Sequence, residues 1–170
     1  MHWQAVETTA IRIGARVPPA RADAIRDALL KRAVPLSRLH HGRLEPLATA
    51  GLVHERGRVG LVTAAHILER AHWGDLAVPL PRDGRVARLH SARVRLVIHP
   101  DNDVAILWIG HPSLAQRLCA NWEASSMVGL TAADTTPSTY VLVGYPACNA
   151  IRVDGCVFIK PLVLFTESID

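Results

Sequence analysis

The sequence predicts an all-β domain, folded as a barrel, with one amphipathic helix on its N-terminal side. Short apolar segments recur from Leu47 onward and are separated by polar turns containing glycine, the pattern of strands folded back on one another. Helical periodicity is confined to one long stretch ahead of them, residues 18–34. The chain of 170 residues is 49% hydrophobic and 20% charged, enough apolar material for a core and too little charge for disorder.

The helix opens at Pro18-Pro19, which suit a first turn, and sets Ala24, Ile25, Ala28, Leu29 and Ala33 at helical spacing. Pro35 is expected to stop it, since proline breaks a helical ladder. Its exposed face carries Arg21, Arg26, Lys31 and Arg32, the composition of a solvated surface. Leu36 to Pro46 is mixed, with His40-His41-Gly42 as a turn. Leu47–His54 and Val59–Thr63 flank Glu55-Arg56-Gly57-Arg58, which predicts a hairpin. One or two helical turns follow over residues 64–71.

Leu76–Leu80 and Arg85–His90 form a second hairpin around Asp83-Gly84, a favoured turn pair. Strands are predicted at Ala92–Ile98, by its alternation, and at Asp103–Ile109, by its continuous apolar run. A short helix is placed near Ser113–Leu118. Strands resume at Tyr140–Gly144, at Ile151–Ile159 around the turn Asp154-Gly155, and at Leu162–Thr166. The domain division is an N-terminal helical extension over residues 1–46 and a β-barrel domain over 47–170.

Composition narrows the classes of function. The formal charge of +4 comes from basic residues spread along the chain and not gathered in a run, so nucleic acid is not an expected partner and the basic isoelectric point alone supports no DNA-binding role. Cys119, Cys148 and Cys156 have no metal-ligand spacing and are expected to be free, buried thiols. No secretory leader and no apolar run of membrane-spanning length is seen, so the expected location is cytoplasmic, with no membrane partner. His40, His41 and His99 read as loop histidines, Trp108 and Tyr145 as packing residues.

Two positions carry the chemistry. In Leu61-Val62-Thr63-Ala64-Ala65-His66 a β-branched strand runs into two small residues and a histidine, which holds an imidazole at a strand-to-helix corner as a general base requires. Farther on, His99-Pro100-Asp101-Asn102-Asp103 leads into Val104-Ala105-Ile106-Leu107, and Asp103 at the mouth of that strand can orient an imidazole. Asp101 is the weaker candidate because it does not directly precede the strand.

These segments resemble the trypsin-like, chymotrypsin-fold serine protease family, especially its small bacterial members. Ala48-Thr49-Ala50-Gly51-Leu52-Val53 followed by Thr63-Ala64-Ala65-His66 is similar to the family's paired strands and catalytic histidine, Asp103-Val104-Ala105-Ile106-Leu107 to its aspartate and strand, and Tyr140 to Pro146 to the strand opening its second barrel. The resemblance covers residues 47–166. It implies a double β-barrel, complete in its first barrel and incomplete in its second, with His66 as general base, Asp103 as its orienting partner, a polypeptide substrate, and no cofactor or metal.

The family's nucleophile sits in a Gly-x-Ser-Gly-Gly loop, whose glycines let main-chain N–H groups form the oxyanion hole. None of Ser37, Ser91, Ser113, Ser125, Ser126, Ser138 and Ser168 has a glycine neighbour. The expectation is therefore an endopeptidase relative that stops short of its catalytic serine and is inactive as this chain. The alternative is a non-catalytic binding or regulatory module on a protease scaffold, whose partner chain supplies the missing strands.

Overall fold

The computed structural model describes residues 3–5, 10–12, 18–70, 75–89, 94–128, 139–146, 150–153 and 156–167. It is mostly β-structure, arranged in one large sheet and two small ones. The large sheet comprises β3 (Ala33–His40), β4 (Arg43–Glu55), β5 (Arg58–Thr63), β6 (Leu76–Leu80), β7 (Arg85–Arg88), β8 (Val94–Ile98), β9 (Ala105–Ile109) and the short β10 (Ser125–Ser126). Their order is β7-β6-β3-β4-β5-β9-β8, antiparallel throughout, with β10 alongside β4 in parallel.

Local turn chemistry sets the hairpins. His41-Gly42 joins β3 to β4 with φ values of 47° and 74°, and Arg56-Gly57 joins β4 to β5 with 47° and 78°. Both are two-residue connections with two positive φ angles, which follow the strands' own twist and favour glycine at the second position. Between β6 and β7 the Asp83 N–H returns to the Leu80 carbonyl at 3.1 Å, and Gly84 takes φ 61°.

The core fills one face of this sheet. Leu36, Leu44, Leu52, Leu61, Leu76, Leu80, Leu89, Leu107 and Leu118 are all fully buried there. The last belongs to α3 (Pro112–Asn121), whose Leu114 and Leu118 face inward. On the other face Gly60 pairs with Trp108 across β5 and β9, and a Cβ at Gly60 would lie 2.9 Å from the indole ring. A glycine is required there because the indole occupies the space of a side chain, and the Arg58 guanidinium stacks on the same ring at 4.6 Å.

The predicted helix is shorter than its pattern. α1 runs Pro19–Leu30, and Ala33, Val34 and Pro35 are already in β3. Proline is tolerated in this strand because β6 pairs with β3 only at Ser37 and Arg38, leaving Pro35 with a ladder on the β4 side alone. The buried face is also displaced. Ala22 is fully buried against Val163, with Ile25 and Leu30 beside it, whereas Ala24 and Ala28 are exposed. A methyl side chain at 22 lets the helix backbone approach the strand closely.

Strands β3 and β4 carry the large sheet back across residue 46, so the segment 33–46 belongs to it and not to a helical extension. The N-terminal residues also contribute two strands that a three-residue pattern does not announce. β1 (Trp3–Ala5) pairs in parallel with β13 (Cys156–Ile159), itself antiparallel to β12 (Ala150–Val153). β2 (Ala10–Arg12) pairs in parallel with β14 (Leu162–Glu167), which is antiparallel to β11 (Thr139–Gly144). The turn expected at Asp154-Gly155 lies outside the described residues.

Candidate functional site

β5 ends at Thr63, and α2 (Ala65–Arg70) follows at once, so His66 is the second residue of a short helix. Ala65 is 6% exposed and packs into the core, anchoring the corner from below. Thr63 is equally buried and its hydroxyl donates to the Thr49 carbonyl on β4 at 3.0 Å. The strand end that presents His66 is thereby tied to its neighbour by a side chain as well as by its ladder.

Asp103 comes from the loop between β8 and β9. His99 N–H donates to the Val104 carbonyl at 2.9 Å, closing the loop, and Val104 N–H donates to Asn102 at 2.7 Å. Inside it the Asp101 N–H and the Asn102 side-chain amide approach His99 Nδ1 at 3.2 and 3.1 Å. His99 is therefore a loop residue, as expected, and its contacts hold the turn that projects Asp103.

The two candidate residues meet. His66 Nδ1 lies 2.5 Å from Asp103 Oδ2, and the His66 main-chain N–H donates to Asp103 Oδ1 at 2.8 Å, across 37 residues of chain. A carboxylate offers only acceptors, so the shared proton is carried by Nδ1 and the neutral ring keeps Nε2 as an acceptor. No described residue bonds to Nε2. The pair can thus accept a proton from a group brought to Nε2, the function of an oriented general base. Asp101 is exposed and does not take part.

The site is open: the side chains of His66 and Asp103 are 48% and 54% exposed. Even so, the Asp103 carboxyl is held below its ordinary range, first by the His66 main-chain N–H and next by the imidazole hydrogen bond, with desolvation opposing. A group depressed in the folded state contributes stability that is complete above its unfolded value, about 3.9, and is lost as pH falls through the folded one. Asp103→Asn is therefore expected to be less stable than the parent at pH 7, with the gap shrinking below about pH 4. Urea titrations at pH 7 and pH 3 check this, and an equal gap at both would contradict it.

A nucleophile is not brought to this pair among the described residues. Ser37 is sealed in the core, Ser125 and Ser126 lie in β10 beside Val53 and His54, and Ser113 contacts His111 Nδ1 at 2.9 Å at the start of α3, where no described carboxylate joins them. Ser91, Ser138 and Ser168 lie outside the described residues. The thiol expected to be buried is not: Cys119 is free and exposed, because it sits on the outer face of α3 while Leu118 takes the inner one. Cys148 and the side chain of Cys156 are outside the described residues.

Thr49 is the site-supporting residue that sequence patterning does not reveal. Its hydroxyl accepts the Tyr145 N–H at 2.6 Å, and a Cβ on Gly144 would lie 3.0 Å from that same oxygen. Glycine at 144 lets the end of β11 close on β4, and the only forewarning in sequence is Gly-Tyr-Pro after an apolar strand. Among the described residues no group of three or more His, Cys, Asp or Glu is arranged to hold a metal ion, and no helix is long and apolar enough to cross a membrane. No family model and no curated protein matches this chain.

Proposed function

We propose that this chain is a relative of the trypsin-like serine proteases that keeps the His66–Asp103 pair and lacks an identifiable nucleophile, so that by itself it hydrolyses peptides negligibly. The observation that carries this reading is the double hydrogen bond from His66 to Asp103, through both the ring and the main chain. It joins the two residues at the strand-end positions expected of a catalytic histidine and its orienting carboxylate. The strand order supports the same reading, because its two ends, β7 and β8, are consecutive in the chain. A six-stranded antiparallel barrel whose fifth strand bends between β7 and β8 has that order.

A triad enzyme stripped of its triad residues retains roughly a thousandfold to ten-thousandfold advantage over water, drawn from the oxyanion hole and substrate binding. The glycine-flanked loop that forms such a hole is absent from this sequence. Turnover of a fluorogenic peptide library is thus expected to be the same for the parent and for His66→Ala, and any His66-dependent hydrolysis overturns the inactivity. For the scaffold, an experimental structure in which β7 continues into β8 supports the reading, and a sheet left open between them overturns it.

A second reading, a binding module on the same scaffold, is favoured by β11. This strand ends its small sheet, carries no charged residue over Thr139–Gly144, and leaves Leu142 58% exposed beside a groove of about 310 Å³ between Leu47, Thr49 and Leu164. Uncharged edges are where extended partner chains add. A cooperative thermal transition in the purified chain favours this reading, and a broad, non-cooperative one argues against it.

A further inference from the structure

A cavity of about 570 Å³ opens where the C-terminal end of α1, the β6–β7 turn and the C-terminal end of α3 converge, and none of its wall residues belongs to the His66–Asp103 pair. Its volume is that of a site for a small organic molecule. The inner wall is apolar, formed by Leu30, Trp122, Tyr145 and Pro161, of which Trp122 and Tyr145 are 6% and 4% exposed. Trp122 is fixed by its indole N–H, which donates to the Pro79 carbonyl at 2.9 Å. The phenol oxygen of Tyr145 makes no hydrogen bond to a described residue, and it is not among the polar atoms sealed from solvent, so it is reached from the cavity. Burial pushes its ionisation up to about 12, so it stays a neutral donor.

The outer wall is positive. Lys31, Arg32 and Arg82 line it, against one carboxylate, Glu123, which Arg32 contacts at 2.9 Å and Lys31 at 3.8 Å. Arg82 is different: its guanidinium has no partner among the described residues, and its main chain is anchored at the rim by the N–H, which donates to Asn121 Oδ1 at 2.8 Å. The neighbouring Asp83 does not neutralise it, being engaged by Arg117 and Asn121. A cation at the rim and a solvent-reached hydroxyl beside an apolar wall are complementary to one kind of molecule.

We infer that this cavity is a binding site for a small amphipathic anion, an aromatic or branched apolar body bearing one carboxylate, sulfonate or phosphate group. The apolar body packs on Trp122 and Tyr145, the acid group takes Arg82, and the Tyr145 hydroxyl donates to a polar atom of the ligand.

The probe is 8-anilinonaphthalene-1-sulfonate, set against N-phenyl-1-naphthylamine, which has the same rings and no charge. Saturable one-to-one binding of the sulfonate is expected, with the neutral compound weaker by about tenfold or more, as loss of a charge-assisted hydrogen bond implies. Arg82→Ser is expected to weaken the sulfonate to the level of the neutral compound with an unchanged thermal transition, and Tyr145→Phe to weaken the sulfonate while leaving the neutral compound, which has no acceptor for the hydroxyl, nearly unchanged. In the parent protein the sulfonate is also expected to slow alkylation of Cys119, an exposed residue of the cavity wall, read by peptide mass mapping. Equal binding of the two compounds, no response to Arg82→Ser, or unchanged alkylation of Cys119 would each overturn the assignment. The last readout needs no variant, so it decides the matter even where a substituted chain fails to fold.

Discussion

Leu107→Ala is expected to lower the unfolding free energy by about 2 to 5 kcal/mol, the range for emptying a leucine-sized volume in a packed core. Leu107 is fully buried in the middle of β9, opposite Leu61 on β5 and Leu96 on β8. Leu61 is itself fully buried and cannot swing away to fill the gap, because its own strand is held on both sides by β4 and β9. The cost therefore includes both lost contacts and a residual void. Asp103 stands at the entrance of the same strand, so loosening β9 is expected to speed exchange of the His66 amide proton, which Asp103 accepts. Urea unfolding with an unchanged m-value, together with hydrogen exchange at His66, checks both parts. A loss below about 1 kcal/mol would mean that the core closes around the deletion and that β9 is not a rigid support for the pair.

Much of the large sheet and the two residues of the candidate site were legible in sequence because their signals are local. Arg56-Gly57 and Asp83-Gly84 declare hairpins through the φ angles that glycine accepts, and Ala64-Ala65-His66 declares a corner through the absence of bulk. The pairing of His66 with Asp103 needed order along the chain as well, since no local rule joins residues 37 apart. What escaped was decided at long range. β3 was hidden by Pro35, Ser37 and Arg38, which break strand alternation, and became a strand because β4 folds back along its whole length.

The buried face of α1 differs from the patterned one for a related reason: alanine is neutral between core and surface, and Val163, far along the chain, selects Ala22 over Ala24. β1 and β2 are three residues each, and their partners lie at the other end of the sequence. The cavity at Tyr145 was illegible for the same reason. It is assembled from the ends of two helices, a hairpin turn and the strand connection near Pro161, and no one segment records it.

Thr49→Val is expected to cost about 1 to 3 kcal/mol, the penalty for leaving a buried donor without its acceptor. The Tyr145 N–H reaches the Thr49 hydroxyl at 2.6 Å, a distance that a methyl group cannot occupy, so valine both removes the acceptor and pushes Tyr145 away. Gly144 adds to the strain, since the space above it is filled by the same threonine side chain. Thr49→Ser keeps the oxygen and is expected to recover most of the loss. The consequence reaches farther than one hydrogen bond, because Thr49 also receives the Thr63 hydroxyl on its carbonyl. One residue of β4 thus ties the end of β11 to the strand that presents His66. Amide exchange at Tyr145 is expected to quicken in the valine variant and to stay slow in the serine variant, with the melting temperature following the same order. Equal exchange in the two variants would show that the small sheet docks on the large one without this hydroxyl, and that Thr49 serves the His66 corner through its main chain alone.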